Sequence, residues 1–239
     1  MSLLFDLCFI CVHLWLIFPV EGFWNQHTQS ELPYGPMPIL AIDTSTTRAS
    51  VAVLDSDRVV FSETFVADRT HSVELFTILE RAAEIAPRCG QIVIGLGPGS
   101  YSGIRIAISA AIGFGIGTKA RLLGIPSIVA LETDAPEYLA VGDARRGTFY
   151  FARIRDRECI EGPMLLPPEE LKAKLATHES LPVFNSDLLA AVPLARIAFP
   201  SAEILARLAE QGRGICATDA LEPIYLRPPH ITTPGNGAR

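Results

Sequence analysis

Three β-rich runs follow one another from Ile39, with connections too short for anything but hairpins. Residues 39–42 (ILAI) and 50–54 (SVAVL) are separated by Asp43, Thr44, Ser45, Thr46 and Thr47. Asp55, Ser56 and Asp57 then turn the chain into residues 59–66 (VVFSETFV). Short turns of this kind give an antiparallel meander. Ser72 next reads as the N-cap of a helix over residues 73–86, where Leu75, Leu79, Ala82 and Ala86 recur at helical spacing and Pro87 marks the stop. Residues 91–95 (QIVIG) form a buried strand, and a glycine-rich loop with a long small-residue helix fills 97–120. The order β-β-β-α-β-α calls for a mixed sheet with helices on its faces.

The second half repeats this theme less cleanly. Residues 138–142 and 148–154 read as a hairpin closed around Asp143, Ala144, Arg145, Arg146 and Gly147. A helix over 168–176 has Pro168 at its start and Glu169 and Glu170 in its first turn. Residues 181–185 form a strand, and Ser201 caps a final helix that stops at Gly212. This order is similar to that of the α/β actin-like ATPase (ribonuclease H-like) fold, in which two small related lobes carry mixed sheets flanked by helices. The expected division is an extension over 1–36, an N-terminal lobe over 37–120 and a C-terminal lobe over 121–239, with a soft boundary at 119–124.

Composition narrows the function. Of the 239 residues, 49% are hydrophobic and 19% charged, so the chain can bury a core and is not intrinsically disordered. A net charge of −6 argues against a protein that grips nucleic acid alone, since phosphate binding draws its affinity from Lys and Arg. The five cysteines (Cys8, Cys11, Cys89, Cys159, Cys216) form no disulfide framework, which fits a reducing cytoplasm. Cys8 and Cys11 make a C-x-x-C pair without further zinc ligands or a βαβ setting. The apolar run at 7–20 is shorter than the ~20 residues a spanning helix needs. It also lacks a basic flank and a small-residue cleavage site. The expected reading is a start at Met37, with an N-terminal anchor as the alternative.

Several positions have the residue types that chemistry would use. Asp43, Thr44 and Ser45 end the first strand, where a turn can aim backbone N–H groups and a carboxylate at phosphate and magnesium. The other reading is a hairpin whose Asp and Thr side chains bond their own backbone. Gly95-Leu96-Gly97-Pro98-Gly99-Ser100-Tyr101-Ser102-Gly103-Ile104-Arg105 is a strand-to-helix loop, with Ser100 or Ser102 available as a cap. It matches neither a Walker A loop nor a dinucleotide fingerprint. Gly99 and Ser100 are therefore candidate anion contacts at a helix start, or parts of a tight structural turn.

In the following helix, Gly103, Ala107, Ala111 and Gly115 recur every four residues, beside a second small stripe of Ser109, Gly113 and Gly117. Helical glycine costs ~1 kcal/mol relative to alanine, so three close together need a reason. Small stripes admit close backbone approach. One stripe can pack on the lobe's own sheet and the other on a helix of another subunit, and all seven residues are expected to mark a partner interface. His71 lacks a second ligand one turn on, where Leu75 stands, so no metal site is assigned.

Five segments together resemble the dimerisation-subunit family of the bacterial machinery that makes threonylcarbamoyladenosine in tRNA. They are the opening Ile39–Ser45 run (ILAIDTS), Arg69-x-His71-Ser72, the Gly97–Arg105 loop (GPGSYSGIR), Asp143-Ala144-Arg145-Arg146-Gly147, and Glu222-Pro223-Ile224-Tyr225-Leu226-Arg227. The resemblance implies an actin-like fold and a non-catalytic role, with no catalytic residues, no metal and no membrane association. It implies dimerisation with a TsaD-type catalytic paralogue through the N-terminal lobe, recruitment of a TsaE-type ATPase, and only indirect contact with tRNA. A homodimer without the partner, and ATP or ADP at a subunit interface, stay open. The alternative is a small actin-like nucleotide-binding enzyme, an ATPase or phosphotransferase. From Met37 the chain is roughly half the length of a complete two-lobed phosphotransferase. A metalloprotease fails for want of ligands.

Overall fold

The computed structural model describes residues 37–67, 71–187, 189–213 and 221–227. The 1–36 extension with Cys8 and Cys11, and also Arg69, Thr70 and Cys216, lie outside the described residues. Strand β1 (Ile39–Asp43) is buried at every position, which identifies it as a central strand covered on both faces. It pairs antiparallel with β2 (Arg48–Asp55), which pairs antiparallel with β3 (Arg58–Val66). The β2–β3 turn places Ser56 and Asp57 at φ 47° and 69°, the left-handed pair that a two-residue hairpin needs.

Helix α1 (His71–Ile85) carries the chain to β4 (Gln91–Gly95), parallel to β1, and α2 (Tyr101–Thr118) carries it to β5 (Arg121–Ile125), parallel to β4. The first sheet therefore runs β3-β2-β1-β4-β5. Because α1 begins at His71, Ser72 lies within its first turn rather than capping it. The segment expected to hold the lobe boundary is itself the edge strand of this sheet.

After a 3-10 turn (Ser127–Ala130), the same pattern recurs. Strands β6 (Glu137–Asp143), β7 (Phe149–Arg155) and β8 (Glu158–Leu166) form an antiparallel meander. Helix α3 (Pro168–Ala176) leads to β9 (Val183–Asn185), parallel to β6, and β10 (Arg196–Ile197) is parallel to β9. The second sheet, β8-β7-β6-β9-β10, has the strand order of the first. Two related lobes with mixed sheets, in the actin-like α/β class, are thus present.

Alternation along β1 fixes the layers. Leu40 and Ile42 face α1 and α2 in one core, with Leu75, Ile78, Ile104 and Ala107. Ile39 and Ala41 face the other way into a core that also holds Tyr138, Ala140 and Ile154 of the second sheet. Helix α4 (Ala202–Glu210) supplies Leu205, Ala206 and Ala209 to that shared core. Its first residue is tied across the molecule, as Ala202 N–H donates to Ser50 Oγ at 2.9 Å. The Ser201 side chain makes no cap bond, so the capping group expected from the sequence is replaced by a serine from β2. Gly212, at φ 66°, ends the helix.

Candidate functional site at the glycine-rich loop

The end of β1 and the loop after β4 are neighbours because their strands are parallel neighbours. Asp43, Thr44 and Ser45 are 0–1% exposed. Asp43 Oδ1 accepts from Ser45 N–H at 2.9 Å and from Ser45 Oγ at 2.7 Å. Thr44 Oγ1 donates to Gly103 O at 2.7 Å, and Ser100 N–H donates to Ser45 O at 2.7 Å. A Cβ at Gly99 would lie 2.1 Å from Ser45 O, and one at Gly103 would lie 2.1 Å from Thr44 O. Glycine is required at both positions because turn and loop touch backbone to backbone.

The predicted anion contacts Asp43, Thr44, Ser45, Gly99 and Ser100 are therefore brought together, but into a closed joint. The Ser45 and Ser100 N–H groups, which an anion would use, are spent on Asp43 and Ser45. Ser100 is the N-cap of α2, accepting from Gly103 N–H at 3.2 Å. On the other side, Ser127 Oγ accepts from Gly97 N–H at 2.9 Å and Ser127 N–H donates to Gly97 O at 2.8 Å.

Asp43 Oδ2 has no hydrogen bond of normal geometry, although the Ser127 hydroxyl lies beside it. Burial pushes the Asp43 carboxyl above its ordinary range, and the Ser127 and Ser45 hydroxyls oppose that less strongly. Nothing in the sequence pointed to Ser127, because its role depends on the return from β5.

The C-terminal segment closes over the loop. Ile224 N–H donates to Leu96 O at 2.9 Å, and the Tyr225 ring stacks on Tyr101 with centroids 5.1 Å apart. Arg105 donates to the Tyr101 hydroxyl at 2.7 Å and lies 5.3 Å above its ring. The Arg227 guanidinium then reaches Thr148 Oγ1, just after the Asp143–Gly147 turn. Four of the five segments singled out in the sequence thus meet at one end of the molecule. Of the Arg69-x-His71-Ser72 segment, His71 and Ser72 are the described residues and lie in α1, and Leu75, where a metal pair would need its second ligand, is fully buried.

The small-residue helix separates into two faces. Gly103, Ala107, Ala111 and Gly115 are buried within their own lobe, with Gly115 against Leu122. For these four the expectation of a partner interface is corrected: the close approach they permit is to this chain's own sheet and β1–β2 turn. Ser109, Gly113 and Gly117 are exposed, and a Cβ at Gly113 or Gly117 would meet nothing within 4 Å. Ile116 beside them is 67% exposed.

Among the described residues, no group of three or more His, Cys, Asp or Glu side chains could hold a metal ion. No described helix is long and apolar enough to cross a membrane. A polar cleft of about 480 Å³, lined by Ser50, Thr64, Glu132, Arg157 and Glu203 among others, contains none of the predicted site residues.

Residues 65–183 match the family profile described as TsaD, tRNA N6-adenosine threonylcarbamoyltransferase. The chain is 28% identical over 221 residues to the tRNA threonylcarbamoyladenosine biosynthesis protein TsaB of Escherichia coli, covering 80% of this chain and 95% of that one. Similarity to the TsaB protein of Bacillus subtilis is 34% over 127 residues, 48% of this chain and 53% of that one. A solved Pseudomonas aeruginosa protein, described by its similarity to the peptidase YeaZ, superposes with a TM-score of 0.64 at 26% identity. That superposition covers 80% of this chain and all of the other.

Proposed function

This chain belongs to the TsaB/YeaZ family, and from that premise we propose that it is a non-catalytic subunit in tRNA threonylcarbamoyladenosine biosynthesis, pairing with a TsaD-type catalytic subunit. The closed joint at Asp43–Ser45 is the observation that carries the non-catalytic part. A phosphotransferase of this fold class needs open N–H donors and an accessible carboxylate at that turn. Here the Ser45 and Ser100 donors are consumed, the carboxyl is fully buried, and burial favours its neutral form. A buried neutral carboxyl is poorly suited to hold magnesium. The small-enzyme alternative loses its site by the same reasoning.

The pairing surface is the exposed face of α2, where Ser109, Gly113 and Gly117 let a second backbone approach and Ile116 supplies apolar area. Such a face suits helix-on-helix docking, since small residues set the distance and the isoleucine provides hydrophobic burial. A TsaE-type ATPase joins the pair, the chain self-associates through this same face when alone, and the assembly works in the cytoplasm. The test is a sizing experiment with the full chain and the catalytic paralogue of the same genome. A one-to-one complex that Gly113→Leu disrupts supports the assignment, and a Gly113→Leu chain that still pairs normally removes α2 from the interface.

A further inference from the structure

Two arginines at the tip of the second lobe stand where backbone geometry disfavours them. Arg145 and Arg146 have φ 66° and 55°, followed by Gly147 at 71°. Three successive left-handed residues suit glycine or asparagine, and a long L side chain there is strained. At one other arginine such strain has a structural counterpart. Arg157, at φ 64°, ends a hairpin turn and donates to Val129 O, Leu131 O and Thr133 O.

Arg145 has no such anchor: its side chain is 88% exposed, with Asp143 at 3.6 Å as its ion partner. Arg146 is exposed and makes no ion pair or side-chain hydrogen bond among the described residues. The turn itself is held by other groups, as Arg145 N–H donates to Asp143 Oδ1 at 2.7 Å and Ala144 N–H to Thr148 O at 3.0 Å. Folding does not explain why both positions carry guanidinium groups.

The surroundings say what the charge meets. Arg227 joins this turn through Thr148, and two residues back Tyr225 stacks on Tyr101, over which Arg105 lies. Tyr101 and Tyr225 remain 48% and 43% exposed. In a chain of net charge −6, the exposed charged groups of these segments are Arg105, Arg145 and Arg146 against Asp143 and Glu222, with the half-buried Arg227 adding a fourth guanidinium. Guanidinium groups beside exposed aromatic rings match phosphate and unstacked base together, whereas an acidic peptide would use only the cations. Against the expectation of only indirect contact with tRNA, we propose that the Arg145–Arg146 turn, with the Tyr101–Tyr225 stack beside it, directly contacts the phosphate backbone of a looped RNA, the tRNA held mainly by the catalytic partner. This rests on the family role proposed above and names the RNA-facing surface of the subunit.

The test measures binding of an unmodified tRNA transcript by the full complex at several salt concentrations, comparing wild type with Arg145→Gly/Arg146→Gly. Glycine relieves the left-handed strain, so the variant should melt no lower than wild type and remain in the complex. Its RNA affinity should fall at least about five-fold, and the slope of log K against log salt should shrink by roughly one unit or more. Arg145→Lys/Arg146→Lys should keep the wild-type slope. Unchanged affinity and slope with an intact complex overturns the inference while leaving the family role in place. Loss of the protein complex instead assigns the turn to an acidic protein partner and also overturns it. A wild-type chain that never joins the catalytic subunit removes the premise, and the inference falls with it.

Discussion

Gly103 and Gly113 lie on one helix and answer to different constraints. An alanine at Gly103 would drive its Cβ against the Thr44 carbonyl, and one at Gly99 would meet the Ser45 carbonyl, both backbone atoms with little freedom to move. Each should destabilise the fold by about 1–3 kcal/mol. Gly113→Ala meets empty space, and removing a helical glycine should stabilise by roughly 0.5–1 kcal/mol. Urea denaturation of the three variants measures all of these, and equal losses would mean that the loop does not rest on the β1 turn as described.

Asp43 gives a pH signature. Its carboxyl pKa is raised in the fold by burial, so the associated stability is present below the ordinary aspartate range and is lost as pH rises through the raised value. Relative to Asp43→Asn, wild type should therefore lose melting temperature from about pH 4 upward. Asp43→Asn keeps an oxygen for the Ser45 donors and should show a flatter profile and a higher melting temperature at neutral pH. A steeper fall in the variant would show that the charged carboxylate is what the site holds. The glycines, Asp43 and Ser45 were legible in the sequence as a group. That they satisfy one another was not, because Thr44 to Gly103 and Gly97 to Ser127 are contacts between distant segments.

At the scale of elements, α2 divides into a face that holds its lobe together and a face open to solvent. Ala107 is fully buried between α2 and the first sheet, so Ala107→Leu should cost about 1–3 kcal/mol by overpacking, with any loss of partner binding following from unfolding. Gly113→Leu should leave the melting temperature within about 1 kcal/mol of wild type and abolish pairing. Thermal melts beside sizing separate the two effects. The small-residue periodicity announced both faces without saying which was inward, because Gly103, Ala107, Ala111 and Gly115 differ little in type from Ser109, Gly113 and Gly117.

The strong strands were legible because β1, β2 and β4 are nearly continuous apolar runs. Of the edge strands, β3 was legible too, while β5, β8 and β10 were not. β8 contains Gly162 and Pro163, which read as a break and are tolerated only because β8 lies at the sheet edge. β10 has two residues, and β5 follows α2 with only Lys119 and Ala120 between them. The β7–β8 hairpin turns on Asp156 and Arg157, and arginine is no turn signal until its three carbonyl partners are visible.

The molecule as a whole is two copies of one sheet order closed around a shared core, with α4 between them. Leu205 and Ala206 of α4 pack with Ala41 of β1 and Ala140 of β6, so residues late in the sequence complete the interior of the first lobe. Arg48 of β2 pairs with Glu132 and lies 4.7 Å above the Phe199 ring, fastening the connection between lobes from outside. The repeated strand order could be anticipated from the β-β-β-α-β pattern, whereas the placement of α4 could not, because an amphipathic helix does not say which apolar surface it will cover. The end at which the glycine loop, the arginine turn and the C-terminal segment meet joins both lobes into one surface.

In the role proposed for it, this subunit supports the modification without performing it. The threonylcarbamoyladenosine content of an unmodified tRNA transcript, measured after incubation with a threonylcarbamoyl donor and the full chain alone, the TsaD-type subunit alone, or both, tests this. Modified nucleoside is expected only when both subunits are present, with no magnesium-dependent ATP hydrolysis by this chain on its own. Full modification by the catalytic subunit without this chain, or ATP turnover by this chain unaided, would contradict it.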